Sequence, residues 1–231
     1  MRFHRLIAMI GEEKFQSLQA KTVLLAGLGG VGSYVFEALV RSGIQTIVIV
    51  DHDVYDITNL NRQLGAMTST IGLPKVDVSM AKAKEINPDI VVVKHQTFID
   101  ANSIGSLFDR RIDFIVDAVD SIDAKLLLIQ EAEARAIPIV CSMGFANKLH
   151  PERIQIKRLN QTSMCPLARE VRRRCRVAGV LSNPFVVYSE ETPVASQTPG
   201  VSLGSTSFTP SAAGLILASH VINAILGGSS I

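Results

Sequence analysis

Gly27-Leu28-Gly29-Gly30-Val31-Gly32 is followed, 19 residues after its last glycine, by Asp51. Glycines at 27, 29, 30 and 32 let a chain turn tightly and bring backbone N–H groups up to a phosphate. A helix opening at that point adds the positive end of its dipole. An acid at this distance, at the end of the following strand, meets a pair of ribose hydroxyls. The pattern predicts an adenine-nucleotide site. A strand–helix turn without a ligand is the plainer alternative, and the glycines alone do not separate ATP from NAD.

The residues after Asp51 do separate them. Asp53, Asn59, Arg62 and Gln63 crowd into the next dozen positions, and Lys75 follows Gly72-Leu73-Pro74. A dinucleotide dehydrogenase has no use for such a cluster, whereas a bent triphosphate has: arginine grips two phosphate oxygens at once and lysine supplies a point charge. Asp117 and Asp120 end a later apolar run. Asp120 is placed to hold a Mg²⁺ that bridges phosphate oxygens. For either acid the alternative is a helix N-cap.

These residues need a frame that gathers loop ends on one side. Residues 22–26, 46–50, 90–93, 114–119 and 137–141 read as short buried strands. Between them, 31–41, 75–87 and 124–136 carry helical spacing, and Pro88 stops the second of these. Repeated β-α-β units predict an α/β, Rossmann-like, doubly wound and mainly parallel sheet with helices on both faces. After Cys141 the pattern changes. Strands are expected at 154–159 and 185–188, a helix at 166–176, a long Ser/Thr/Pro/Gly loop at 192–209, and a last helix with Thr209 as N-cap and Pro210 at N1. One domain is expected over 1–231, as an N-terminal arm (1–20), a nucleotide half (21–141) and a C-terminal half (142–231).

Composition narrows the classes further. The chain has 231 residues, 47% of them hydrophobic, which excludes disorder and a fibrous repeat. Three cysteines without a C-x-x-C pair exclude a disulfide framework and a four-cysteine zinc site, and suit a reducing, cytoplasmic compartment. Residues 212–226 are the most apolar stretch and fall short of the roughly 20 residues of a spanning helix, so a buried helix and no membrane role is expected. The formal charge is +2, but it divides as −2 over residues 1–149, +6 over 150–176 and −2 over 177–231.

Gly27, Gly29, Gly32, Asp51, Asn59, Arg62, Gln63, Lys75 and Asp120, in that order, resemble the ATP-dependent adenylating enzymes related to the ubiquitin-activating enzyme, including the adenylyltransferases of molybdopterin and thiamine biosynthesis. The resemblance covers nearly the whole chain. It implies ATP and Mg²⁺ as cofactors and a homodimer in which Arg5, in an N-terminal arm, reaches the partner subunit's ATP site. Thr58 to Gln63, Val116 to Ser121, Pro166-Leu167-Ala168, Val187 to Glu191 and Gly204 to Phe208 are similar to the branch that dehydrates threonylcarbamoyladenosine in tRNA. That branch implies tRNA as substrate and allows for a sulfur-transfer partner protein. Branches that activate ubiquitin-like sulfur carriers, which often carry paired C-x-x-C motifs, are the alternative, and a NAD-binding module is a more distant one.

The basic block supports the tRNA branch independently. On a helix over 166–176, Leu167, Ala168, Val171 and Cys175 share one face, while Arg169, Arg172, Arg173 and Arg176 share the other. Such a stripe can follow an RNA backbone. An ordinary solvated helix face is the alternative. The block holds no aromatic residue to stack on bases, so backbone contact rather than base reading is expected. Cys165 and Cys175 are read as small buried residues in preference to acyl carriers.

Overall fold

The computed structural model describes residues 2–195, 197–198, 200 and 203–227. Two short helices, α1 (His4–Ile10) and α2 (Glu12–Gln19), lead into β1 (Thr22–Ala26). The nucleotide half continues with α3 (Gly32–Arg41), β2 (Thr46–Val50), α4 (Lys75–Ile86), β3 (Val91–His95), β4 (Phe114–Asp117), α5 (Ile122–Ala134) and β5 (Ile139–Ser142). The C-terminal half adds β6 (Ile154–Arg158), α6 (Pro166–Val177), β7 (Phe185–Ser189) and α7 (Phe208–Ile225).

All seven strands form one sheet in the order β3-β2-β1-β4-β5-β7-β6, parallel except where β6 runs antiparallel to β7. The two halves are therefore sewn together by the parallel pairing of Val140 with Phe185 and Cys141 with Val186. Alternation along β1 sends Val23 and Leu25 to one face and Leu24 to the other. The first face is covered by α3, α4 and α7, through Val35, Phe36, Leu39, Val76 and Leu217. The second is covered by α5 and α6, through Leu128, Ile129, Ala168 and Val171. Each of the larger of these side chains, moved from water into this packing, contributes about 1.5–3 kcal/mol.

The expected elements appear with ends shifted by one or two residues. The last helix differs. It begins at Phe208, so Thr209 lies inside the first turn and does not cap it. The Thr209 N–H donates instead to Thr206 Oγ1 (3.3 Å), and the Thr209 hydroxyl donates to the Lys148 carbonyl (3.0 Å). Pro210 is accommodated because N–H groups of the first turn have no helical partner to lose. Of the expected loop over 192–209, positions 196, 199, 201 and 202 lie outside the described residues. Helix α7 is long and apolar enough to cross a membrane, yet it packs Ala213, Leu217, Ala218 and Val221 into the sheet's core.

Candidate active site

The strand order reverses between β1 and β4, which is where open α/β sheets carry ligands beyond the carboxyl ends of their strands. A cleft of about 910 Å³ opens there. Its lining joins Gly27, Gly29, Gly30, Asp51, Asp53, Asn59, Arg62, Gln63, Lys75 and Asp120, along with residues 142–148, Cys165, Pro166 and Ser205 from the C-terminal half.

The glycine loop is fixed by its surroundings. Gly27 has φ +89°, and a β-carbon there would lie 2.7 Å from the Ala118 carbonyl oxygen. One on Gly32 would overlap the Gly27 carbonyl. A side chain on Gly27 would push the loop off the segment that leads from β4 to Asp120, and one on Gly32 would force open the turn itself. Asp51 braces the same loop from below: it accepts from the Leu28 N–H (2.6 Å) and the Asp53 N–H (2.9 Å). Each oxygen keeps a lone pair free.

The crossover after β2 brings the polar side chains in. Lys75, 3% exposed at the start of α4, donates to Asp53 Oδ2 at 2.7 Å. Arg62 is held over the loop by bonds to the Thr58 carbonyl (2.8 Å) and Asn61 Oδ1 (3.1 Å). Asn59 Oδ1 accepts from the Asp56 N–H (3.1 Å), leaving its amide nitrogen to the cleft. Gln63 is buried, and its Oε1 has no hydrogen-bond partner. A buried acceptor left unmatched costs about 1–3 kcal/mol.

Asp120 is exposed in the cleft, and its carboxylate makes no hydrogen bond or ion pair among the described residues. It is not a helix cap, because Ser121 caps α5 by accepting from the Ala124 N–H (3.3 Å). An open carboxylate beside a glycine loop fits Mg²⁺, which binds through one or two carboxylates plus phosphates and keeps several waters. Asp51, His52 and Asp53 form another group with ligand atoms within 4.8 Å of one another, but Asp51 is tied to backbone and Asp53 to Lys75 and His52. Asp117 is not a helix cap either. It is fully buried and paired with Lys125.

Arg5 is exposed on α1 and does not line the cleft of its own chain. The arginine stripe of α6 is also reduced. Ala168, Val171 and Cys175 are buried as expected, but Arg172 turns inward, donating to the carbonyls of Leu159 (3.3 Å) and Thr162 (3.1 Å). Arg173 is engaged by Glu170 at 2.8 and 2.5 Å. That contact and Arg174 hold the Glu170 carboxyl down at about 2. Only Arg169 and Arg176 of the four keep side chains without a partner among the described residues. Elsewhere in the block, Lys157 pairs with Glu190 (3.2 Å), and Arg158 stacks on Phe185 (3.8 Å).

Two lysines escaped the sequence reading. Lys148, 2% exposed on the cleft wall, donates to the Ser189 carbonyl at 3.0 Å, and burial pulls its ammonium below the usual lysine range. Lys125 was visible in principle: it shares a helical face with Leu128, Ile129 and Ala132, and a charge on an apolar face needs a buried acid. Cys141, Cys165 and Cys175 are all buried and none is bridged.

The chain matches the ThiF family over residues 3–230. It is 38% identical over 244 residues to a tRNA threonylcarbamoyladenosine dehydratase of Bacillus subtilis, covering 97% of this chain and 94% of that one. The solved E. coli tRNA N6-threonylcarbamoyladenosine dehydratase in complex with AMP superposes with a TM-score of 0.93 at 30% identity, covering 98% of this chain and 94% of that one. The same enzyme in complex with ATP gives 0.91 at 30% identity over the same shares. With its glycine loop, its polar crossover and its fold all in agreement, the chain belongs to the ThiF family, whose members include relatives of the ubiquitin-activating enzymes.

Proposed function

We propose that this chain is an ATP-dependent tRNA threonylcarbamoyladenosine dehydratase, acting in the cytoplasm as a homodimer. The observation that carries the reading is its likeness, along nearly its full length, to the E. coli enzyme solved with AMP. The cleft supports it: a phosphate loop, cationic side chains and an open carboxylate face one volume large enough for ATP and an attacking group.

The carboxylate of the threonyl group attacks the α-phosphorus of ATP, and pyrophosphate leaves. The N–H groups of Gly29 and Gly30 and the N-terminus of α3 meet phosphate oxygens. Arg62 and Lys75, with Arg5 from the second copy, offset the charge that develops on the oxygens in flight. Lys75 is preset for this by Asp53, which fixes where its side chain lies at the cleft. Asn59 and Gln63 orient polar groups of the nucleotide, and Asp51 lies where a ribose edge sits. Asp120 would hold Mg²⁺, which would supply charge neutralisation for the phosphates. A nitrogen of the same threonylcarbamoyl group then attacks the acyl-adenylate carbon, the C–N bond forms, the C–O bond to AMP breaks, the nitrogen's proton passes to solvent, and the ring closes. The net change is loss of one water, and no protein nucleophile is needed. Arg169 and Arg176 contact the tRNA backbone beside the cleft.

Nucleoside analysis of tRNA incubated with the protein and ATP tests the reading. The cyclised product is expected, with ATP–pyrophosphate exchange dependent on modified tRNA. Exchange driven by a ubiquitin-like carrier protein alone would overturn it.

A further inference from the structure

Asp117 and Lys125 are both fully buried beneath the cleft. Lys125 Nζ donates to Asp117 Oδ1 (3.0 Å), Asp117 Oδ2 (2.9 Å) and the Ser142 carbonyl (2.7 Å), which uses all three of its donors. Asp117 Oδ1 also accepts from the Val119 N–H at 3.1 Å. One ammonium therefore ties together the end of β4, the start of α5 and the end of β5. The segment 118–120 hangs from this knot on one side. On the other it is pressed on the phosphate loop: the Ala118 N–H donates to the Ala26 carbonyl (2.8 Å), and the Ala118 carbonyl occupies the space a Gly27 β-carbon would need.

A buried ion pair is a poor means of holding a core together, because an apolar pair of similar volume does so as well or better. Leu128 and Ile129, on the same helix as Lys125, belong to the buried apolar cluster on this face of the sheet, and the Cys141 thiol adds a hydrogen bond to Asp117. What the pair adds is direction, since a bidentate contact and two backbone bonds fix where the strand end and its loop must lie. We propose that Asp117–Lys125 is the positioning element that sets Asp120 against the phosphate loop and, through Ser142, sets the opposite cleft wall of residues 142–148. Neither residue touches the reacting atoms. The proposal rests on the adenylation reading for its kinetic consequence, but not for its structural one.

The test uses full-length protein with the paired substitution Asp117→Leu/Lys125→Met, which leaves no charge unpaired, and with Lys125→Arg alone. In the absence of nucleotide and metal, amide hydrogen exchange of the segment 117–121 should speed up in the paired variant, while exchange in β1 and β2 stays as in the parent. In ATP–pyrophosphate exchange, the Mg²⁺ concentration for half-maximal rate should rise at least about tenfold, with KM for ATP within about twofold. Lys125→Arg should move the Mg²⁺ requirement in the same direction by a smaller factor, which covers the case in which the paired variant does not fold. A folded paired variant with parental amide exchange at 117–121, or an Lys125→Arg protein with the parental Mg²⁺ requirement, overturns the proposal. A parent protein that performs no exchange with tRNA overturns the adenylation reading instead, and amide exchange then still decides whether the pair holds the loop.

Discussion

The nucleotide half and the basic half of this molecule use polar residues in opposite ways. Around the glycine loop, polar side chains are braced from behind and left open in front. Asp51 is fixed by two backbone N–H groups, Lys75 by Asp53, and the exposed Asp120 lines the cleft with no partner among the described residues. In the basic block most of the charge is consumed at home. Arg172 is spent on carbonyls, Arg173 and Arg174 on Glu170, Lys157 on Glu190. A ligand site is recognised by polar groups denied a protein partner, and a run of like charges is not such a site until its partners have been counted.

The contrast is broken most directly at Asp120. Asp120→Ala removes an exposed carboxylate with no partner among the described residues, so its thermal midpoint should stay within about 1 °C. ATP–pyrophosphate exchange should fall on the order of 10³-fold. Near-parental exchange would remove Asp120 from the site. Lys75→Met comes next. It should lower exchange by about 10²-fold and cost at most about 1 kcal/mol of stability, since Asp53, left behind, is half exposed. A stability loss that tracks the loss of activity would make Lys75 a structural residue.

The two halves were unequally legible in the sequence, for physical reasons. The glycine loop was readable because backbone geometry dictates glycine there: the spaces at Gly27 and Gly32 admit no β-carbon. The parallel sheet was readable because strands buried on both faces leave continuous apolar runs such as Thr46–Val50. The cleft's far wall was not, since Lys148 reaches it only through the pairing of β5 with β7. The arginine stripe was half readable. Helical period placed four guanidinium groups on one face, but a long flexible side chain goes where acceptors are, and Thr162 and Glu170 lie within reach of two of them. The cap of α7 was misread because Thr206, three residues upstream, already serves the Thr209 N–H.

That division can be sharpened within α6 itself. Arg169→Ala/Arg176→Ala should weaken tRNA binding and flatten the slope of log affinity against log salt by about 1.5, or roughly 0.7–0.9 for each phosphate no longer neutralised. Thermal stability should not move. Arg172→Ala should do the reverse, costing about 1–3 kcal/mol through the acceptors it abandons and leaving the salt slope in place. Equal salt slopes for all three proteins would mean that tRNA lies elsewhere.

The smallest effect belongs to the seam between the halves. His220, on α7, sits with its ring 6.4 Å from Phe114 of the nucleotide half and 4.9 Å from Phe185 of the basic half. Burial lowers its pKa, and the positive charge of Arg158 lowers it further. The folded protein therefore takes up this proton less readily than the unfolded chain. Above the ordinary histidine range, near 6.5, both states are neutral here and nothing is lost. As pH falls below it, the unfolded state gains a proton that the fold resists, and stability declines until the lowered folded value is passed. Between pH 7 and 5 the thermal midpoint should drop by no more than about 2 °C on this account. His220→Asn, which cannot titrate, should lack that part of the slope. The same slope in both proteins would mean that the two halves close on each other without sensing charge at this position.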